Sequence, residues 1–537
     1  MTTPTDRVRV DRDEVFLEYT KSICPVCKAV VDAEINGRDH RVYLRKRCAE
    51  HGTFEALVYS DLELYVDAQR FNKPGTIPLQ AQTEVRDGCP LDCGLCPDHK
   101  QHACLGIIEV NTACNLDCPL CFADSGHQPD GFSLDAGQVE KALDAFVAAE
   151  GEPEVVMFSG GEPTIHPQIG EFLAMAKAKG IRTVVLNTNG LRLAHDRPFV
   201  DELAALGVKI YLQFDGLQER THLELRGRDL RRAKAEALDR CADAGIAVLL
   251  VAAVEAGVNE HELGAVVRYG INHPAVRGVV FQPVTHAGRH ARFDPLRRLT
   301  NVDVIRGLVA QCPEWFRVSD FIPVPCCTPT CRSISYLLTD GADVVPIPRL
   351  VPIEHYLDYV TNRALPDPSL RHVLEGLWSA SSVPGTDVMT ERLGAALGAL
   401  ELPDGLGELA GAALSVCADC GVDFPAALAD LATKAFMIVT QDFQDPYTLN
   451  VRQLMKCCVE ELTPDGRLIP FCAYNSVGYR EQVRQQLSGV PVAPVVPNAI
   501  QLADRLVPTR YGSRTTGDPG AAVSAPVVQV NMGRRLR

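Results

Sequence analysis

The sequence predicts an α/β protein built on an open, three-quarter (β/α)6 barrel, with a small cysteine-containing module before the barrel and a cysteine-rich region after it. Apolar runs alternate with amphipathic helical patterns from residue 105 onward, as buried parallel strands and crossover helices do. Polar motifs follow the ends of these runs, where β/α barrels place their functional loops. Most of the 20 cysteines stand in tight groups.

Length, charge and hydropathy limit the class of protein. The chain has 537 residues, which favours two to four domains at roughly 100 to 200 residues each. Its formal charge of -15 argues against nucleic acid as a partner, because polyanions are bound by Lys and Arg. The N-terminus has no apolar signal segment, and the longest apolar run, Ile246–Val254, is much shorter than the roughly 18 residues of a membrane span. We therefore expect a cytoplasmic protein whose clustered cysteines bind metal.

The first predicted unit, residues 1–75, carries two cysteine knuckles joined by a hairpin pattern. Cys24 and Cys27 form a C-x2-C pair, and Cys48 and His51 follow the second strand of the hairpin. Knuckles at one end of a hairpin build a mononuclear tetrahedral site. We expect a zinc-ribbon-like or rubredoxin-like module that holds Zn or Fe; His51 is the fourth ligand or, alternatively, a surface residue.

The second predicted unit, residues 76–105, carries a cysteine triplet. Cys89, Cys93 and Cys96 have the spacing C-x3-C-x2-C, and Cys104 is the candidate fourth ligand. An iron-sulfur cluster is the favoured interpretation, because the same spacing recurs in the next motif along the chain. A zinc site is the alternative.

The barrel is predicted over residues 106–325, directly after this unit. Its strands are predicted from six apolar runs: Leu105–Val110, Glu154–Phe158, Thr183–Leu186, Lys209–Phe214, Ile246–Val254 and Gly278–Gln282. Amphipathic helices are predicted over 134–151, 167–180, 230–245 and 259–274, with Ser133 and Asn259 as caps and Gly180 and Gly245 as terminators.

The loop after the first predicted strand carries the central motif, CNLDCPLC, from Cys114 to Cys121. Its three thiolates, from Cys114, Cys118 and Cys121, are spaced to hold three irons of a [4Fe-4S] cluster. The fourth iron would then have no protein ligand and would be open to chemistry. A zinc knuckle or an ordinary four-cysteine electron-transfer cluster are the alternatives.

The loop after the second predicted strand is a glycine turn, Gly160-Gly161-Glu162-Pro163. Two glycines let the backbone approach a ligand closely, and the carboxylate and proline fix the turn. The remaining rim motifs follow strands three to six and comprise Asn187–Gly190, Asp215–Gly216, Glu255–Glu260 and Pro283–Arg289.

The region after the barrel, residues 326–487, is predicted to hold an auxiliary cluster. Six cysteines in two distant groups form the candidate ligand set: Cys326, Cys327, Cys331, Cys457, Cys458 and Cys472. Any single member could instead be a buried inert thiol. Cys417 and Cys420 stand in a predicted helical insertion and stay unassigned, while Cys241 and Cys312 are predicted core residues. Residues 488–537 are predicted to be a partly disordered tail.

The order of the motifs resembles that of the radical SAM superfamily, in the group that includes tetraether lipid synthase and pterin-methylating enzymes. The motifs are, in order, CPVC, RCAEHG, GCPLDCGLC, CNLDCPLC, GGEP, NTNG, QFDG and TPDGRLIPFC. The resemblance implies that the cluster at Cys114–Cys121 binds S-adenosylmethionine (SAM). It further implies that residues 160–163 contact SAM, as do Asn189, Gln213 and Asn259, for which strand-end capping is the alternative. Leu120 departs from the aromatic residue usual before the third cysteine.

The resemblance implies chemistry in which reductive cleavage of SAM yields a 5'-deoxyadenosyl radical that removes hydrogen from an unactivated C–H bond. One or two auxiliary [4Fe-4S] clusters and a reductant such as ferredoxin or flavodoxin are implied as well. The leading hypothesis is coupling or modification of long-chain lipids, with peripheral membrane contact. The alternative is methylation of a pterin-like heterocycle in a polar pocket near His286 and Arg289. A multi-cluster electron carrier without catalysis is the alternative of another class.

Overall fold

The computed structural model describes residues 13–126, 131–290, 293–325, 327–339, 344–349 and 435–489. Cys326, Cys417, Cys420, the predicted helical insertion and all but the first two residues of the predicted tail lie outside these ranges. What the sequence predicts for them stays a prediction, as do the domain boundaries.

The N-terminal module is an antiparallel four-stranded sheet followed by one helix. Its elements are β1 (Val15–Ile23), β2 (Val30–Arg38), β3 (Arg41–Cys48), β4 (Gly52–Tyr59) and α1 (Leu62–Ala68). Because β1 and β3 each pair antiparallel with β2, their carboxyl ends lie at the same end of the sheet. Both cysteine knuckles therefore meet there, as the hairpin pattern predicts.

Six parallel strands form the barrel and confirm the six predicted apolar runs. They are β5 (Leu105–Glu109), β6 (Val155–Ser159), β7 (Thr183–Thr188), β8 (Lys209–Gln213), β9 (Val248–Val254) and β10 (Val276–Pro283). Each strand pairs in parallel with the next along the chain. The functional loops therefore share one rim of the barrel.

Helices cover the outside of these strands, and the four predicted helical patterns each contain one. The helices are α2 (Ala136–Glu150), α3 (Ile169–Ala178), α4 (Leu191–His195), α5 (Arg197–Ala205), α6 (Glu219–Arg226), α7 (Arg231–Asp243), α8 (Leu263–Ile271) and α9 (Asn301–Gln311). The cap of α2 is Asp135 in a capping box with Gln138, not the predicted Ser133. Asn259 precedes a 3-10 turn, Glu260–Glu262, rather than α8 itself.

The C-terminal region extends the barrel sheet at both edges. Its elements are β11 (Ile322–Pro323), β12 (Arg332–Thr339), β13 (Val344–Pro346), β14 (Ala435–Gln441), β15 (Val459–Leu462), β16 (Leu468–Pro470), α10 (Val451–Leu454), α11 (Phe471–Ser476) and α12 (Tyr479–Ser488). Strand β14 pairs in parallel with β10, and β15 pairs in parallel with β5. Strands β15 and β16 form the strand-turn-strand that the sequence predicts. Both edges that an open barrel would expose are thus paired.

Two apolar layers enclose the barrel strands. The outer layer lies between strands and helices and includes Phe146, Phe172 and Leu238, each fully buried. The inner layer lines the barrel interior and includes Ile107, Met157 and several cysteines. Cys241 and Cys312 lie in the outer layer, which confirms them as core residues. Over the described ranges, no helix combines the length and the apolar character that a membrane crossing requires.

Candidate active site

The loop Cys114–Cys121 lies beyond the carboxyl end of β5, with its three thiols close together. Burial raises the pKa of the Cys114 thiol to about 12, and the neighbouring Glu162, Cys118 and Cys121 add to the rise. The backbone N–H of Leu116 donates to Cys114 Sγ at 3.4 Å. Converging thiols that accept N–H groups are the donor set that holds an iron-sulfur cluster.

Arg226, the last residue of α6, holds one side of this loop. Its guanidinium pairs with buried Asp215 at 2.7 Å and donates to the carbonyl of Leu120 at 3.3 Å. The positive charge opposes the rise that burial causes in the pKa of the Cys118 thiol. Arg226 therefore both positions the loop and favours a thiolate at Cys118.

Arg289 and Gly288, from the loop after β10, hold the other side. Arg289 exchanges two backbone hydrogen bonds with Cys121, at 3.0 and 2.8 Å, and its Nε donates to the carbonyl of Cys118 at 2.9 Å. A Cβ at Gly288 would lie 2.3 Å from the carbonyl oxygens of Cys121 and Phe122. Glycine is required here because two backbone segments touch.

The glycine turn Gly160–Pro163 pairs with the backbone that leads into the cysteine loop. Gly161 donates to the carbonyl of Asn111 at 2.8 Å, and a Cβ at Gly161 would lie 2.2 Å from the carbonyl oxygen of Ala113. The carboxylate of Glu162 is 1 % exposed and accepts hydrogen bonds from Thr164 and Thr188 and from the N–H of Asn189. The turn is thus locked against the loop by protein contacts.

The other predicted SAM contacts divide into two groups. Gln213 lines the cavity described below, as does Gly160. Asn259 instead donates to the carbonyls of Asp215 and Ala253, both at 2.8 Å, which is the geometry of a strand-end cap. Asn189 donates to Asn115 at 2.7 Å, next to the cysteine loop. Contact of these residues with SAM stays a prediction.

A cavity of about 270 Å³ lies inside the barrel, next to Cys121. Apolar strand residues such as Ile107 and Met157 line its walls. Three phenylalanines meet at its edge, and the rings of Phe122 and Phe471 stack with centroids 5.3 Å apart. Charged side chains also line it, namely Glu109, Arg226, Arg332, Glu461 and Arg480. Sequence reasoning identified none of these charged residues, because nothing local marks them.

The cavity lies close to His286, because its sequence neighbours Thr285 and Ala287 line the wall. His286 is fully buried, packs against Phe293 with centroids 4.2 Å apart, and lies outside the cavity wall. His290 does line the cavity, and it lies 3.2 Å from Glu255. The ring of His286 itself fills the core behind the wall, so a polar pocket for a heterocycle near His286 and Arg289 stays a prediction.

The triplet Cys89, Cys93 and Cys96 lines a second, small pocket. A hydrogen bond with the thiol of Cys89 raises the pKa of Cys93. Burial raises the pKa of Cys96, and the charge of Cys89 adds to that rise, so both thiols lie near Cys89. Tyr479 of α12 fixes this loop, because its hydroxyl accepts from the N–H of Cys93 at 3.1 Å and donates to the carbonyl of Leu91 at 2.6 Å.

Cys104 lies away from that pocket. It is 3 % exposed and packs in the barrel interior with Cys327 and Cys458. The register of β15 on β5 pairs Leu105 with Val459, which places Cys104 beside Cys458. The structure therefore does not bring Cys104 to the triplet as its fourth ligand.

Long-range folding brings the C-terminal cysteines together. One pocket is lined by five thiols, from Cys327, Cys331, Cys457, Cys458 and Cys472. Burial raises the pKa of the Cys457 thiol well above its usual range, and the charges of Glu460, Cys472 and Cys458 nearby add to the rise. The donor set is rich enough for an auxiliary iron-sulfur cluster.

The N-terminal knuckles form a candidate mononuclear site. The ligand atoms of Cys24, Cys27, Cys48 and His51 all lie within 4.8 Å of one another. The sulfurs of Cys27 and Cys48 are 3.8 Å apart, and Cys48 Sγ is 3.6 Å from His51 Nδ1. Tetrahedral zinc with bonds of about 2.3 Å to sulfur requires such separations. His51 is placed as the predicted fourth ligand.

Comparisons with known proteins find two matching family models and several relatives. The radical SAM superfamily model matches residues 108–270, and the HMPTM N-terminal zinc ribbon domain matches residues 16–60. The 7,8-dihydro-6-hydroxymethylpterin dimethyltransferase of Methanocaldococcus jannaschii is 31% identical over 502 residues, which cover 87% of this chain and 95% of the relative. The GTP 3',8-cyclase of Chlorobaculum tepidum is 34% identical over 28% of this chain and 45% of its own length. The Streptococcus suis SuiB structure has a TM-score of 0.32 and 17% identity, covering 38% of this chain and 45% of that one.

Fold and site together define a radical SAM enzyme with a half-open barrel and a SAM-type cysteine loop. Its zinc ribbon and the near full-length match narrow the class further. The chain belongs to the radical SAM family that contains the pterin dimethyltransferase of M. jannaschii. This relationship favours the pterin alternative over lipid coupling.

Proposed function

We propose that the protein is a methyltransferase that replaces a C–H bond of a dihydropterin with a C–CH3 bond. One SAM would supply the radical that takes up the hydrogen as 5'-deoxyadenosine, and a second SAM would donate the methyl group and leave as S-adenosylhomocysteine. The reductant would supply the two electrons that this exchange requires. One observation carries the proposal: a compact cavity with charged and aromatic walls opens beside the Cys114–Cys121 loop. The similarity to a pterin dimethyltransferase over 87% of the chain supports it.

The cavity suits a heterocycle better than an alkyl chain. Its volume of about 270 Å³ is compact, and Glu109, Glu461, Arg332 and Arg480 contribute charged groups to the wall. Glu461, on which no hydrogen bond from the described residues ends, would have no donor from an alkyl chain, which is costly in a buried site. A polar bicyclic ring offers donors and acceptors along its edge and flat apolar faces. The lipid hypothesis has no comparable support.

Residues in different parts of the site would have different roles. Cys114, Cys118 and Cys121 would hold the cluster, which together with bound SAM supplies a carbon radical that abstracts hydrogen from a C–H bond. Arg226 and Arg289 fix the loop that carries these thiols. The apolar strand residues exclude water from the reacting carbon, and the aromatic rings offer a surface for stacking.

The C-terminal thiols would hold an auxiliary cluster next to the substrate. Their pocket shares wall residues with the cavity, namely Arg332, Gln441, Phe443, Val459 and Phe471. A cluster there would lie within reach of electron exchange with the reacting ring. The Cys89–Cys96 triplet is the second candidate, and ferredoxin or flavodoxin is the reductant class that we expect.

The test is a product assay with anaerobically reconstituted, reduced protein and SAM. One reaction contains 7,8-dihydro-6-hydroxymethylpterin and the other a long-chain glycerol lipid, and both are analysed by mass spectrometry. We expect the pterin to gain one or two methyl groups and the lipid to return unchanged. SAM labelled in its methyl group then reports the source of the added carbon. Coupled lipid, or unchanged pterin beside active SAM cleavage, would refute the proposal.

A further inference from the structure

We infer that Glu461 selects the substrate by accepting two hydrogen bonds from its 2-amino-4-oxopyrimidine ring, an inference that rests on the proposed function. Glu461 lies on β15, the strand that the C-terminal region adds to the edge of the barrel beside β5. Glu461 is 2 % exposed, and its side chain lines the cavity.

Strand alternation separates Glu461 from its acidic neighbour. Successive side chains of a strand point to opposite faces. Glu460 points away from the cavity, toward His99 at 3.6 Å and the thiol of Cys458. Glu461 points into the cavity, where it faces Glu109 of β5 and Arg480 of α12.

The two carboxylates in the cavity differ in their partners. Glu109 is tied by the hydroxyl of Tyr474 at 3.0 Å and by Arg480 at 2.9 Å. Within the described part of the chain, no hydrogen bond or close ion pair ends on the carboxylate of Glu461. Burial and the charge of Glu109 raise its pKa well above the usual range. A buried carboxylate without donors is costly, so this site is built to receive donors from a ligand.

A pterin supplies those donors in the right arrangement. Its pyrimidine ring presents the ring N3–H and the 2-amino group side by side, and a carboxylate accepts such a pair with both oxygens, as it does from arginine. The same ring is flat, and Phe122, Phe443 and Phe471 present aromatic surface at the cavity edge. Donors to Glu461 would also lower its pKa, because they favour the charged form.

The test measures equilibrium binding of 7,8-dihydro-6-hydroxymethylpterin to the full holoprotein, with the Glu461→Gln variant and a matched control. The control is Glu154→Gln, at the amino end of β6, where the carboxylate lies 3.8 Å from Arg182. We expect Glu461→Gln to bind the pterin at least about tenfold more weakly, because hydrogen bonds to a charged group are lost. Glu154→Gln should bind it as the wild type does.

An analogue provides a readout that does not depend on the folding of a variant. In this analogue an oxo group replaces the 2-amino group. The wild type should bind it at least about tenfold more weakly than the pterin, and Glu461→Gln should lose that discrimination. The affinity of the wild type for the pterin should also fall as the pH falls, because Glu461 becomes protonated and can no longer accept both hydrogen bonds. Glu461 faces Glu109, Tyr474 and Arg480. The affinity of Glu461→Gln should not show this pH dependence.

The outcomes separate the two proposals. If the wild type binds and methylates the pterin but Glu461→Gln binds it equally well, with discrimination intact, the assignment of Glu461 is wrong and the proposed function stands. If the wild type binds no pterin, the proposed function is wrong and the assignment fails with it.

Discussion

Two arginines hold the cysteine loop, and they act on different atoms. Arg226 reaches the carbonyl of Leu120 from α6, and Arg289 reaches the carbonyl of Cys118 from the loop after β10. The loop itself has no regular secondary structure beyond one bridge, Cys121 to Arg289. The position of its thiols therefore depends on these side chains more than on its own backbone.

Replacing Arg226 by Gln should destabilise the protein and loosen the loop. The change leaves Asp215, whose side chain is fully buried, without its ion-pair partner, and breaking such a pair costs about 3–5 kcal/mol. We expect a lower free energy of unfolding and less iron per chain after reconstitution. Arg197→Gln, which removes an exposed pair with Asp201, should cost less than about 1 kcal/mol. Equal effects of the two variants would show that Arg226 has no special role.

The spacing of cysteines along the sequence predicted the groups of candidate metal ligands. It did not predict the other side chains that line the cavity or hold the cysteine loop. The sets Cys114 to Cys121 and Cys24 to Cys27 are recognisable because their ligands are neighbours in sequence. Glu461 and Arg226 are not recognisable from the sequence, because the residues that surround each of them are brought close only by folding. The neighbours of Cys104 were not predictable for the same reason, because the register of two strands far apart in sequence decides them.

Among the elements, the turn after β10 fits closely against the cysteine loop. Gly288 has a φ of +65°, and a Cβ added there would lie 2.3 Å from the carbonyl oxygens of Cys121 and Phe122. A side chain at this position would be strained by the left-handed φ angle, and its Cβ would also clash with the carbonyl oxygens of the neighbouring segment.

Gly288→Ala should therefore lower iron content and SAM cleavage. Gly245→Ala is the matched control, because Gly245 has a φ of +69° and a Cβ added there would have open space within 4 Å. Both variants carry the left-handed penalty of about 1 kcal/mol, and only Gly288→Ala adds the clash. We expect Gly288→Ala to lose most cluster binding while Gly245→Ala keeps it. Equal iron content in the two variants would contradict this account of the turn.

Strands and helices of the barrel were predictable, because apolar runs and 3.6-residue periodicity are local signals. Strands β14 and β15 were not placed in the barrel sheet by sequence reasoning. The sequence of β15, Val459–Leu462, carries two adjacent glutamates and lacks the pattern of a buried strand. Its pairing with β5 joins residues more than 350 positions apart, and no short-range pattern encodes that contact.

Across the whole molecule, the C-terminal region completes the site rather than forming a separate layer. It contributes Phe443, Phe471, Glu461 and Arg480 to the cavity and pairs with both edge strands of the barrel. Its helix α12 also fixes the Cys89–Cys96 loop through Tyr479. The cavity, the cysteine loop and the C-terminal thiols are therefore parts of one continuous structure.

We propose that Cys114, Cys118 and Cys121 hold the cluster that cleaves SAM at the mouth of this cavity. The most direct measurement is the yield of 5'-deoxyadenosine from reduced holoprotein with SAM, for the wild type, Cys118→Ala and Cys241→Ala. Cys241 is a buried core thiol and controls for loss of a cysteine. We predict 5'-deoxyadenosine from the wild type and Cys241→Ala and none from Cys118→Ala. A wild-type yield from Cys118→Ala, or no yield from the reduced wild type, would contradict the account.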